Sequence, residues 1–232
     1  MKPKIVVYHH TGLGDHFICN GLVHKLLEEH SVDLICKQRY LKTVKHLYED
    51  FSDVTIVPVD NAQEDAEVFK YCNENSLALM RVGFEKTDYQ NFEDSFYNSA
   101  GISPDAEYEN FVFPKNLNGS EELLNKMQAK FGKEYIFIHD ESSYAKFDLR
   151  IDSNLPRWFA KKEDTDDVLD YVAGICNAKE VHVINSGLNN LVFQLFYKGM
   201  VNGKVFYHDA RKPNLGGIPV KVPDGIEIVE YE

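Results

Sequence analysis

Four short apolar runs, at residues 5–8, 32–36, 54–59 and 77–82, alternate with segments of helical spacing in the first third of the chain. Strands regained after a helix each time run parallel, and the central strands of a parallel sheet are apolar on both sides because helices cover both faces. The alternation therefore confines the fold to an α/β class, Rossmann-like where the crossovers are right-handed. The first helix is the clearest of the series. Ile18, Leu22 and Leu26 are spaced by four with Cys19, Val23 and Leu27 beside them, which predicts one helix from a glycine turn to about His30. Further helices are expected near 40–51 and 62–73.

Between 83 and 118 the periodicity loosens into aromatic and polar residues, with Pro104, Pro114 and the turn sequence Asn116-Leu117-Asn118-Gly119. A boundary between two lobes, 1–115 and 116–232, is expected there. The second lobe opens with a helix over 120–131 that Gly132 ends, then a strand over 135–139 and a polar segment over 139–150. A helix over 166–177, a strand over 181–184 and a helix with Leu188, Leu191, Val192, Leu195 and Phe196 on one face follow. A last strand at 205–208 precedes a Pro/Gly-rich tail. The expected architecture is two Rossmann-like lobes with parallel sheets and a ligand cleft between them.

Acidic residues outnumber basic ones by 37 to 25, for a formal charge of -12. No Lys/Arg cluster is present, so no nucleic-acid partner is expected, since that affinity comes from basic clusters releasing counterions. A small anionic ligand is compatible with the charge, because a few N–H groups and one or two cations can hold a diphosphate. Cys19, Cys36, Cys72 and Cys176 form no CxxC pair and read as buried thiols. With no secretion leader and no apolar run of membrane length, the expectation is a cytoplasmic protein with at most peripheral membrane contact.

The turn His9-His10-Thr11-Gly12-Leu13-Gly14-Asp15 is the most informative motif. Gly12 and Gly14 permit close backbone approach, and the helix that begins there presents unpaired N–H groups that suit an anion. The plain alternative is a tight turn in which Asp15 only caps the helix. Asp15 is also the candidate catalytic base, at the carboxyl end of a parallel strand where α/β ligand crevices form. The helix terminus lowers its pKa and desolvation raises it. His9, His10 and His16 raise a metal reading, which strand alternation disfavours by sending His9 and His10 to opposite sides. No metal and no cofactor are expected.

In the second lobe, Ser186 and Gly187 occupy the matching place at a helix start, where Ser186 reads as an N-cap and the N–H groups of Gly187 and Leu188 could meet a phosphate. Ser142, Ser143 and Lys146 put two hydroxyls and a cation beyond a strand end, suited to a diphosphate or simply to an exposed loop. Trp158 reads as a packing residue rather than a base-stacking platform.

Taken together, Gly12-Leu13-Gly14-Asp15 with Leu22 and Leu26, then His139 with Ser142, Ser143 and Lys146, then Asn185-Ser186-Gly187-Leu188-Asn189-Asn190-Leu191, resemble the ADP-heptose-type bacterial glycosyltransferases of the GT-B fold. The resemblance implies an inverting, metal-independent sugar transfer with Asp15 as base. It implies a nucleotide-sugar donor held by the second lobe and a glycan or lipid-linked acceptor in the first, in surface polysaccharide or glycan synthesis. Donor-side residues would be Gly12, Gly14, Ser142, Ser143, Lys146, Ser186, Gly187, Asn190 and Arg211. The family usually writes Asp-Ser/Thr-Gly-x-x-His, where this chain has Asn185 and Asn190, and the second lobe is one strand-helix unit short. Those departures leave open a degenerate glycosyltransferase-like protein that binds a nucleotide or sugar. A metallohydrolase built on the histidines is the third reading.

Overall fold

The computed structural model describes residues 2–60, 62–85, 87–143, 145–211 and 217–231. The chain divides into two compact units, Met1–Lys115 and Asn116–Glu232. Residues 212–216 of the Pro/Gly-rich tail lie outside the described residues.

The first unit runs β1 (Lys4–Tyr8), α1 (Leu13–Ile18), α2 (Asn20–Leu26), β2 (Ser31–Lys37), α3 (Leu41–Leu47), β3 (Val54–Val59), α4 (Glu64–Asn75), β4 (Ala78–Arg81), α5 (Phe92–Ser99) and α6 (Ala106–Glu109). Its four strands are all parallel in the order β3-β2-β1-β4. The two inner strands are the most apolar: Val6, Val7, Tyr8, Val32, Leu34 and Ile35 are fully buried. The outer strands β3 and β4 are only partly covered, as their mixed sequences dictate.

The helix predicted to run unbroken to about His30 is two helices that meet at Cys19. The cause is Tyr97, a buried residue of α5. Its hydroxyl donates to the carbonyl of Ile18 at 2.6 Å and accepts the N–H of Leu22 at 3.2 Å, standing between two groups that would otherwise bond each other in a continuous helix. One turn later Gly21 lets the α6 backbone come so close that a Cβ there would collide with the carbonyl oxygen of Ala106. The stretch 83–118, expected to be irregular, thus supplies two helices that dock on α1 and α2.

The second unit continues with α7 (Asn118–Phe131), β5 (Ile136–His139), β6 (Arg157–Phe159), α8 (Val172–Asn177), β7 (Glu180–Ile184), α9 (Gly187–Tyr197), β8 (Lys204–Asp209) and β9 (Glu227–Glu230). All five strands are parallel in the order β6-β5-β7-β8-β9. The two edge strands, β6 and β9, were not anticipated. Arg157-Trp158-Phe159 is too short to show a period, and Glu227-Ile228-Val229-Glu230 is bounded by carboxylates. Trp158 is 1% exposed and packs with Tyr135, Phe137 and Tyr171. Gly174 makes room for its indole, where a Cβ would strike the six-membered ring.

Candidate functional site

Each sheet has one place where consecutive connections leave in opposite directions, and ligand crevices of open parallel sheets form at the carboxyl ends of the strands there. In the first sheet that place lies between β1 and β4, because the chain winds outward from β1 to β2 and β3 and then returns to β4. In the second it lies between β5 and β7, because β6 falls on one side of β5 and β7 on the other. The turn at 9–15 follows β1, the polar segment at 139–150 follows β5, and Asn185-Ser186-Gly187 follows β7. The candidate residues thus gather at the two switch points of their own units.

At the first switch point the chain leaves β1 through His9, fully buried, and turns at Thr11, which holds φ 56°. Gly12 is the N-cap of α1, and its N–H donates to Oδ2 of Asp15 at 2.9 Å. A Cβ on residue 12 would sit 2.6 Å from that oxygen, so a larger residue would have to push the carboxylate aside, while the φ of -68° itself suits any residue. Burial pushes the Asp15 carboxyl up to about 6, against the opposing pull of His10, the Gly12 N–H and Lys37. The anion expected at Gly12 therefore meets a place already taken by the protein's own carboxylate, and α1 is only six residues long. Gly14 lies half-buried within α1.

The three histidines do separate things. His9 accepts the Thr11 N–H at Nδ1 (3.0 Å) and meets the fully buried His16 edge to face, ring centres 4.4 Å apart. His10 donates from Nε2 to the Gly83 carbonyl at 2.7 Å and lies among Phe84, Phe92 and Phe96. Burial lowers the His16 pKa to about 3 and holds His9 well below the usual histidine range, so both are neutral near pH 7. Among the described residues no group of three His, Cys, Asp or Glu side chains is placed to hold a metal ion.

Two residues that sequence reasoning passed over complete this end of the sheet. Lys37, the last residue of β2, pairs with Glu64 at 2.9 Å, and Glu64 is 3.2 Å from the Thr11 hydroxyl. A charged residue closing an apolar parallel strand was the signal that could have found Lys37.

At the second switch point the local pattern of the first recurs. Ser186 is the N-cap of α9, but the cap bond is made in reverse: the Ser186 N–H donates to Oδ1 of Asn189 at 2.7 Å, as the Gly12 N–H does to Asp15. No cap hydrogen bond comes from the Ser186 side chain. Gly187 opens α9, and Asn190 accepts from the Asn189 amide at 2.9 Å. Arg211 donates to the Asn185 carbonyl at 3.0 Å, while the Asn185 amide donates to the Ile218 carbonyl at 2.8 Å. Arg211 is thus brought beside the Ser186 turn, which no local pattern shows.

After β5, the Ser142 hydroxyl is engaged with the backbone of Ala145, closing its own turn, and Ser143 is exposed. Lys146 stands 3.6 Å from Asp140 and 5.6 Å from the centre of the Phe159 ring. Two cavities of about 470 and 480 Å³ flank this group, and Asp140, Lys146 and Phe159 line both. Asp140 is 6% exposed, and burial raises its pKa, against the pull of Lys146. Sequence reasoning missed Asp140, although it is the first residue past the strand.

Each unit is thus a parallel sheet with polar residues at its switch point. No protein-family model matches the chain, and no curated protein sequence matches it. Among solved structures, the crystal structure of a glycosyl transferase family 9 protein from Veillonella parvula matches with a TM-score of 0.63 and 9% identity, over 100% of this chain and 88% of that one. The iron-containing dodecameric glycosyltransferase TibC of enterotoxigenic E. coli gives a TM-score of 0.46 and 12% identity, over 89% of this chain and 58% of its own. The first likeness establishes the fold. No helix among the described residues is long and apolar enough to cross a membrane.

Proposed function

We propose that the chain is a glycosyltransferase that moves a sugar from a nucleotide-sugar donor to a hydroxyl acceptor on a glycan or lipid carrier. The observation that carries this reading is Asp15: a half-buried carboxylate at the switch point of the first sheet, held by one N–H and raised to about 6 by burial. A group with that pKa is ionised at neutral pH and still accepts a proton readily, as a general base must. In the proposed reaction Asp15 takes the acceptor hydroxyl proton as the oxygen attacks the anomeric carbon. The bond from that carbon to the diphosphate breaks on the opposite face, inverting its configuration.

The leaving diphosphate carries away the electron pair, and fixed donors aimed at developing charge are the usual largest catalytic contribution. Lys146, Arg211 and the N–H groups at the start of α9 are the donors proposed for that charge, with Gly14, Ser143 and Asn190 as lesser contacts. No metal is called for if these cations meet the diphosphate. Residues 1–115 would take the acceptor and 116–232 the donor. A cytoplasmic place in polysaccharide or glycan assembly fits this chemistry.

A second reading, a degenerate relative that binds nucleotide or sugar without turnover, is favoured by one observation. Asn185 and Asn190 both spend their side chains on internal hydrogen bonds. The deciding experiment incubates the protein with ADP-, GDP-, UDP- and CMP-sugars and an acceptor panel, with and without EDTA. Product with inverted anomeric configuration in the presence of EDTA supports transfer. Saturable nucleotide binding with neither hydrolysis nor transfer supports the second reading.

A further inference from the structure

Thr11 is a buried, β-branched residue at φ 56°, a conformation that side chains of this kind rarely adopt and that persists only where the surroundings enforce it. What enforces it is on either side. Its N–H donates to Nδ1 of His9 at 3.0 Å, and its hydroxyl lies 2.8 Å from the His10 carbonyl and 3.2 Å from Glu64. The residue that follows is Gly12, whose N–H bonds the Asp15 carboxylate. Because Nδ1 accepts, the proton of this neutral ring is on Nε2, and that atom has no hydrogen-bond partner among the described residues. A buried imidazole with one satisfied nitrogen and one orphan is a poor choice for packing alone, since a phenyl ring would fill the space without the unpaired group.

We infer that His9 is a positioning residue: by accepting the Thr11 N–H it holds the left-handed turn that aims the Gly12 N–H at Asp15. Asp15 is thereby oriented before any substrate arrives. The geometry is that of a side chain accepting the N–H two residues on, which asparagine also makes. His9 and Thr11 thus act on Asp15 through the backbone and do not touch substrate. The inference rests on the proposed role of Asp15 for its catalytic meaning, but its structural content does not.

The test uses His9→Asn and His9→Phe in the full chain, each also combined with Thr11→Gly, because glycine adopts φ 56° without the side-chain clash. Two measurements need no substrate: hydrogen exchange at the Gly12 amide, and the titration midpoint of the Asp15 carboxyl by NMR. His9→Phe is expected to speed Gly12 exchange at least tenfold and move the Asp15 midpoint by about one pH unit, while His9→Asn leaves both near the parent. In the Thr11→Gly background the His9→Phe effect should shrink. If His9→Phe folds only in that background, the turn-holding role is supported. Parent-like exchange and midpoint in folded His9→Phe would overturn the inference, whatever the transfer assay shows. Failure of transfer in the parent protein, with these shifts still seen, would instead count against the glycosyltransferase reading.

Discussion

Oδ2 of Asp15 lies 2.9 Å from the backbone nitrogen of Gly12, and the missing Cβ of that glycine is the space the carboxylate occupies. Glycine and carboxylate are therefore one unit. Changing either tests the other, with different signatures.

Asp15→Asn keeps an oxygen that can accept the Gly12 N–H and removes the desolvation cost of the buried charge, so stability at pH 7 should not fall. It removes the proton acceptor, so transfer should fall by roughly 10²-fold or more with nucleotide affinity nearly unchanged. Gly12→Ala differs in leaving the base present but displaced, and should lower both transfer and stability, the latter by about 1–3 kcal/mol. Steady-state kinetics beside urea melts separate the two. Near-parent transfer in Asp15→Asn would strike Asp15 from the mechanism.

Acid should destabilise the protein through its buried histidines. The His16 pKa falls from 6.5 to about 3 on folding, so between those values the unfolded chain binds a proton the native chain refuses. Stability is present above pH 6.5 and drains as pH falls through that window. Asp15, raised from 3.8 to about 6, acts with the opposite sign, its contribution shrinking as pH climbs toward 6. His16→Phe, which deletes two unpartnered buried nitrogens, should cost no more than about 1.5 kcal/mol at pH 7 and flatten the loss between pH 6.5 and 4. An unaltered pH slope in that variant would remove His16 from the acid response.

Lys146 is exposed and partnered by Asp140, so in the absence of ligand its loss should change stability little. For a bound diphosphate the expectation reverses: Lys146→Ala should weaken binding about tenfold, and Asp140→Asn, which releases the lysine, should strengthen it. Calorimetric titration with ADP, GDP and UDP reads both. Equal affinity across the three proteins would place the diphosphate elsewhere.

Gly21→Ala should destabilise the first unit severely, by about 3 kcal/mol or more, because the new methyl meets the Ala106 carbonyl, backbone that has no rotamer to yield. The contact is away from the Asp15 turn. Thermal unfolding should therefore fall well below that of Gly12→Ala, and equal melting temperatures would contradict this packing.

Two parallel sheets were legible in the sequence because inner parallel strands are buried on both faces and read as unbroken apolar runs: β1, β2, β5, β7 and β8 all lie where such runs lie, and the outer strands β3 and β4 carry short apolar runs as well. The Gly12 turn and the Ser186 helix start were legible for the same local reason, since a cap is a relation between residues three apart. The edge strands β6 and β9 were not, because an edge is half solvated and needs no apolar run. Nor was the break at Cys19, where local spacing argues for one helix and a hydroxyl from Tyr97, 75 residues away from Leu22, prevails. The same holds for Arg211 against Asn185 and for Glu64 against Thr11. Periodicity records what each segment must bury, and so it determined the class of fold and the turns that could carry chemistry. Which side chain reaches which backbone group depends on strand order and long-range docking, and only the tertiary structure decided that.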